Sequence, residues 1–157
     1  MPNASQSATA KLALNNFLPY QLVALADQAS RIIAQIYSDG FNLTRPEWRV
    51  LASLEELGPV SATDICAHST QDKMTVSRAV AGLESKGYLV RRNAPQDRRN
   101  KRLELTESGH RLYREVVPLI LEQEADLLAV LSDAEQETLH GLLTKLKKRS
   151  DQLINRA

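Results

Sequence analysis

SATDICAHSTQDKMTVSRAVAGLESKGYLVRRNAPQDRRNKRLELT, residues 61–106, is the stretch whose reading decides the fold. Ser61 is placed to cap a short helix, with Asp64 three residues on to close a capping box and Val60 able to staple against Ile65. Ser69 and Thr70 interrupt the pattern, and a second helix is predicted over about residues 72–86. There Val76, Val80 and Leu83 recur at i, i+4 and i+7 with Ala79 beside them, which buries one stripe. At about 100° per residue the opposite face carries Gln71, Met74, Thr75, Ser77 and Arg78. Gly87 ends this helix, and Tyr88-Leu89-Val90 reads as a strand. Residues 91–102 follow as a turn built on Asn93-Ala94-Pro95, after which Leu103 and Leu105 alternate with Glu104 as the return strand. Helix, turn, helix and basic hairpin in that order describe a winged helix, a shape that fits a nucleic-acid groove.

The charge distribution agrees. Residues 61–102 hold nine Lys or Arg (Lys73, Arg78, Lys86, Arg91, Arg92, Arg98, Arg99, Lys101, Arg102) against four acids (Asp64, Asp72, Glu84, Asp97), a net of +5. The whole chain is only +1, so the remainder carries −4. A basic module in an acidic scaffold is the electrostatic pattern of a DNA binder. A solvated charge run is the plain alternative, but six of the nine cations fall within twelve residues of a predicted hairpin. Lys73, Lys86, Arg91, Arg92 and Arg98 are assigned to phosphates, which fix register without reading sequence. Thr75, Ser77 and Arg78 are the candidates for base edges, Arg78 foremost because a guanidinium can grip a guanine bidentately. For Thr75 and Ser77 the alternative is phosphate contact or helix solvation.

Several strings in this stretch resemble the MarR family of bacterial transcriptional regulators. Asp97-Arg98-Arg99 followed by Leu103-Glu104-Leu105-Thr106 and Gly109 is similar to that family's wing. Thr75-Val76-Ser77-Arg78 and then Leu83-Glu84-Ser85-Lys86-Gly87-Tyr88-Leu89 resemble its recognition helix running into the first wing strand. Leu43-Thr44 with Glu47-Trp48 and Leu51 matches the preceding helix. The likeness spans roughly residues 18–150. It implies a homodimer on a pseudo-palindromic operator, usually released by a small molecule such as a phenolic or other aromatic acid. It also implies that Asp97 holds the wing by pairing with an arginine while Arg99 enters the minor groove, where it would read shape and negative potential.

Around this module the chain reads as mainly helical. At 157 residues, with 43% hydrophobic and 4% aromatic content, it fits one compact domain, or one domain plus a dimerisation appendage, with an aliphatic core. Residues 1–16 are small and polar and read as a flexible arm. A first helix is expected from about residue 19 to 38, ending before Gly40, with Leu22, Leu25, Ala29, Ile32 and Ile36 as a seam for other helices. The next begins at Thr44, where Glu47 completes a capping box, and runs to Leu57 ahead of Gly58-Pro59. Thr106 caps a helix over about residues 107–130 that Pro118 either bends or divides. Ser132 and Glu135 form a further capping box, opening a last helix with Leu139, Leu142, Leu143, Leu146 and Leu153 in register. Lys145, Lys147, Lys148 and Arg149 near its end complement the helix dipole. The division is thus 17–40 and 107–157 for dimerisation, and 41–106 for DNA binding, with the wing at 88–105.

Other functions find little footing. No run is long enough to span a bilayer, and the LALNNFLPYQLVALA stretch is too interrupted by Asn15, Asn16, Pro19 and Gln21 for a signal peptide. The single cysteine excludes an internal disulfide and is compatible with the cytoplasm. Cys66, His68, His110 and His140 lack metal-site spacing, and Cys66 reads as a packed thiol. No metal or cofactor is expected, and no catalytic constellation stands out. By the resemblance, an effector pocket lies between the module and the dimer helices, with Arg31 for a carboxylate and Trp48 or Tyr37 to stack a ring. Core packing of Trp48 and a salt bridge of Arg31 are the alternatives. Two readings therefore remain open: a dimeric ligand-responsive repressor, or a winged-helix interaction or architectural module without sequence preference.

Overall fold

Among the residues described by the computed structural model (12–94 and 97–156, with side chains for 12–93 and 101–156), helices dominate and one antiparallel hairpin interrupts them. A 3-10 turn at Leu14–Asn16 leads into α1 (Leu18–Phe41), α2 (Arg45–Leu57), α3 (Ala62–Ser69) and α4 (Lys73–Ser85). Strands β1 (Leu89–Ala94) and β2 (Asp97–Leu105) follow, then α5 (Glu107–Leu128) and α6 (Asp133–Ile154). The arm expected over residues 1–16 lies outside the described residues as far as residue 11.

The capping signals govern where helices begin. Thr44 and Glu47, Ser61 and Asp64, and Ser132 and Glu135 each form a reciprocal capping box. Each box satisfies backbone N–H groups that the first turn would otherwise leave without partners. Asp72 caps α4 through Thr75 N (2.9 Å), and Thr106 caps α5 through Gly109 N (3.1 Å).

Two boundaries differ from expectation. Helix α1 runs on through Gly40 to Phe41 and is closed by Asn42 in the left-handed region (φ 51°, ψ 42°). Asparagine tolerates that conformation better than most residues. Its N–H reaches Ser38 O, and Leu43 N–H then folds back onto Tyr37 O. The hairpin is longer than the short strands read from sequence. The ladder pairs Arg91 with Leu103, Arg92 with Arg102 and Asn93 with Lys101, so most of the region expected as turn is strand. Val60 adds a bridge on the other edge of β2, exchanging both backbone bonds with Leu103 (3.2 and 2.8 Å). Pro118 lies within α5 without dividing it.

The core belongs to the winged helix. Leu43, Val50, Leu51 and Leu54 from α2 and its entry meet Ile65, Val76, Val80 and Leu83, with Leu89, Leu103 and Leu105 of the hairpin and Leu112 and Val116 of α5 beneath. Gly109 lets α5 begin there. A Cβ at that position would collide with the Tyr88 carbonyl oxygen, which also accepts from Thr106 N–H (3.0 Å). Helix α1 contributes Tyr37 to this core but leaves Leu22, Leu25 and Ile32 of its predicted seam exposed. No residue of α6 is buried, and Leu142, Leu143, Leu146, Leu153 and Ile154 all face solvent.

Candidate nucleic-acid interface and adjoining pocket

Helix α4 divides as its periodicity predicts. Val76, Ala79, Val80 and Leu83 are buried, while Lys73, Met74, Ser77 and Arg78 are exposed. Thr75 is half-buried, and its hydroxyl donates to Asp72 Oδ2 (2.5 Å). With that proton committed, Thr75 can meet a base or a bound water only as an acceptor. The same hydroxyl and the Thr75 backbone N–H hold the Asp72 carboxyl below its ordinary range.

Gln71 does not share the exposed face. Asp72 adopts an extended backbone (φ −71°, ψ 159°), so the helical wheel stops there and cannot be carried back to Gln71. The Gln71 amide nitrogen and oxygen are both buried, and neither has a hydrogen-bond partner among the described residues.

Lys86 also departs from its expected role on phosphate. Its Nζ is turned inward, donating to both carboxylate oxygens of Glu47 (2.8 and 2.9 Å) and to Asn42 O (2.7 Å). Glu47 is 5% exposed. Burial alone would raise its pKa. The Lys86 ammonium and the Thr44 backbone and hydroxyl outweigh burial and hold the carboxyl below its usual range. Gly82 makes room for this carboxylate, since a Cβ there would collide with Glu47 Oε1. The pair fastens the end of α4 to the first turn of α2, and so sets how the recognition helix stands.

Among the described side chains, Arg91, Arg92, Lys101 and Arg102 of the wing lie at the surface, and the three arginines each carry a light restraint. Arg91 pairs with Glu84 (3.0 Å) and Arg92 with Glu104 (2.7 Å). Arg92 sits directly across from Arg102, a like-charge pairing that destabilises a ladder. Arg92 leans to Glu104, and Arg102 donates instead to Pro59 O (3.2 Å). Exposed pairs of this kind contribute roughly 0–1 kcal/mol, so a phosphate can displace the carboxylates. Lys101 is exposed opposite Asn93. Asp97, Arg98 and Arg99 lie on β2 by their backbone, and their side chains fall outside the described residues. The wing aspartate pairing and minor-groove arginine therefore lie outside them too.

Beside the module, α1 and α2 border an open hollow of about 320 Å³ lined by Ala26, Ala29, Ser30, Ile33, Tyr37, Arg45, Trp48 and Arg49. Trp48 is sandwiched between Tyr37 (centroids 5.9 Å apart, planes at 14°) and Tyr113 of α5 (5.8 Å, 10°). Tyr37 and Trp48, each put forward as a face for a ligand ring, stack on each other, and tyrosines take both faces of the indole. Arg31 stands apart, with Asp27 and Arg45, at a neighbouring polar hollow. The cations at the aromatic cavity are Arg45 and Arg49, which sequence reading passed over. Their signal was spacing, since residues four apart on a helix that flank Trp48 must share its side. Burial raises the Tyr37 pKa, and the two guanidinium groups pull it back only in part. Elsewhere on α2, His68 bonds Ser53 (2.9 Å) and Glu56 (3.1 Å), and His110 bonds Glu55 (2.6 Å). Among the described residues no three His, Cys, Asp or Glu side chains gather as a metal site, and no helix is long and apolar enough to cross a membrane.

Comparison with known proteins places this geometry. The model for the MarR family matches residues 43–101. A MarR/EmrR family transcriptional regulator from Acinetobacter sp. ADP1 superposes with a TM-score of 0.82 at 30% identity, over 90% of this chain and 99% of that one. BpsR of Bordetella bronchiseptica, whose DNA binding is regulated by 6-hydroxynicotinic acid, superposes with a TM-score of 0.79 at 25% identity, over 88% and 98%. The helix-turn-helix-type transcriptional regulator YwoH of Bacillus subtilis is 28% identical over 130 residues, which cover 81% of this chain and 94% of that one. With its helix-turn-helix, paired wing strands and flanking helices in place, the chain belongs to the MarR family of DNA-binding transcriptional regulators.

Proposed function

We propose that two copies of this chain form a dimer that represses transcription from a pseudo-palindromic operator, and that a small aromatic acid bound beside α2 releases it. The observation that carries this reading is the bareness of α6. A 22-residue helix with no buried residue and a row of exposed leucines forgoes the burial on which helices in water depend. Pairing it with α1 and α5 of a second copy covers those surfaces by a symmetric interface. On this reading residues 17–40 and 107–157 dimerise, and 41–106 bind DNA.

Two recognition helices about 34 Å apart enter successive major grooves on one face of the duplex. Arg78 reads a guanine edge. Lys73, Met74, Thr75 and Ser77 contact the groove and its phosphates, Arg91, Arg92, Arg98 and Lys101 hold the flanking backbone, and Arg99, steadied by Asp97, occupies the minor groove. In the pocket a single aromatic ring packs against Ala29, Ile33 and the edge of the Tyr37–Trp48 stack. Its carboxylate meets Arg45 and Arg49, with Arg31 at the edge. The regulation of BpsR by 6-hydroxynicotinic acid supports a ligand of this class.

A gel shift with the DNA flanking the protein's own gene, under excess nonspecific competitor, tests the reading. Specific retention that is lost on adding aromatic carboxylates is the expected result. Retention that disappears with competitor alone favours the architectural alternative. Thermal shift with the same acids resolves the pocket: Arg45→Ala should abolish the response, and an unchanged response in Arg31→Ala removes that residue from it.

A further inference from the structure

The three-residue turn that delivers α4 carries two unrelieved burdens. Thr70 is in the left-handed region (φ 54°, ψ 35°), where a β-branched side chain is a genuine outlier. Next to it, the Gln71 carboxamide is buried with its nitrogen and oxygen both lacking partners among the described residues. A buried amide is stable only when its donor and acceptor are answered. Both burdens fall immediately before the recognition helix, whose following residues Lys73 and Met74 are exposed.

We propose that Gln71 is a base-reading residue held retracted in the free protein, and that DNA binding draws its carboxamide out to pair with an adenine edge in the major groove. The inference rests on the proposed sequence-specific binding. The chemistry is matched: a carboxamide offers one donor and one acceptor side by side, which adenine N7 and N6 answer bidentately. The position is matched as well. Gln71 immediately precedes the N-cap of α4, at the end of the helix whose first residues face outward. An orphaned amide in the free state and a paired one on DNA make the contact differential, so its relief adds to specific binding and not to folding.

The test uses the full-length chain as wild type, Gln71→Leu and Gln71→Met. An apolar side chain of similar size removes the orphaned groups, so both variants should melt a few degrees higher. Both should also lose specific operator affinity by on the order of 10-fold or more, while nonspecific affinity at low salt stays unchanged. In an operator scanned with single 7-deazaadenine replacements, one position per half-site should weaken wild type and leave the two variants indifferent. A lower melting temperature in both variants would show that the amide is already satisfied within the fold, and would overturn the proposal. So would unaltered base preference. Wild type that shows no sequence preference at all would instead remove the operator reading, a result distinguishable from either.

Discussion

The Glu47–Lys86 pair invites the sharpest perturbation. Lys86→Met keeps the aliphatic stem and deletes the ammonium, leaving a carboxylate whose side chain is 7% exposed without its counter-ion. Removing one member of a buried pair typically costs about 3–5 kcal/mol. The Lys86 side chain is 28% exposed, so water can answer part of the loss, and about 2–3 kcal/mol is expected here. For a chain of this length that is a fall in Tm of about 5–10 °C. The pH dependence gives the mechanism away. The folded pKa of Glu47 lies below the ordinary 4.5, so its stabilisation is complete above that value and is lost as pH falls through the folded pKa. In Lys86→Met the burial penalty is no longer outweighed, and Glu47 takes up its proton at higher pH. The gap between wild type and variant should therefore be widest near pH 7 and close on acidification. Glu47→Met combined with Lys86→Met should recover most of the loss, less about 1 kcal/mol for the vanished cap on Thr44. Thermal denaturation from pH 7 to pH 3, at fixed protein concentration, reads all three. An unchanged Tm in Lys86→Met, or a gap independent of pH, would refute the reasoning.

Arg99→Ala should weaken operator binding while circular dichroism and Tm stay as in wild type, and full affinity at moderate salt would count against a minor-groove role. Gly109→Ala should lower stability by about 1–3 kcal/mol because the new methyl group meets the fixed Tyr88 carbonyl, measurable by urea denaturation. If the dimer neutralises about six to ten phosphates, operator affinity should fall on the order of 10³- to 10⁵-fold between 50 and 200 mM salt. Fluorescence anisotropy titrations across that range decide the slope. Asp72→Ala removes both the α4 cap and the restraint on Thr75, so thermal denaturation should show a lower Tm than wild type, and an unchanged Tm would show the cap to be dispensable.

What the sequence disclosed was what local chemistry controls. The capping pairs at Thr44, Ser61 and Ser132 each start a helix, and the Val76, Val80 and Leu83 stripe lies in the core. Those features depend on residues three or four positions apart. The misses depend on distance through space or on where regularity ends. A count of positive charge cannot tell that Lys86 turns toward Glu47, a partner 39 residues away. A helical wheel cannot be extended across Asp72, whose extended backbone throws Gln71 off the α4 face. Charge, not alternation, dominates residues 91–102 and makes them read as turn, although Arg91, Arg92 and Asn93 pair in step with Leu103, Arg102 and Lys101 before the register shifts beyond Asn93. At the pocket, Trp48 and Tyr37 were legible as scarce aromatics. Arg45 and Arg49 were not, because only the docking of α1 against α2 makes a hollow for them to line.

Trp48 is the protein's single tryptophan, and it lies flat between tyrosines supplied by α1 and α5. On the proposed division of the chain, the indole sits where the DNA-reading half would meet the helices offered to a second copy. If the proposed effector shifts one half against the other, these rings lie in the path of that shift, and a ligand at Arg45 and Arg49 would border the same stack. Emission from this one native chromophore should therefore report binding of the proposed effector in real time, without a label and in the unaltered chain.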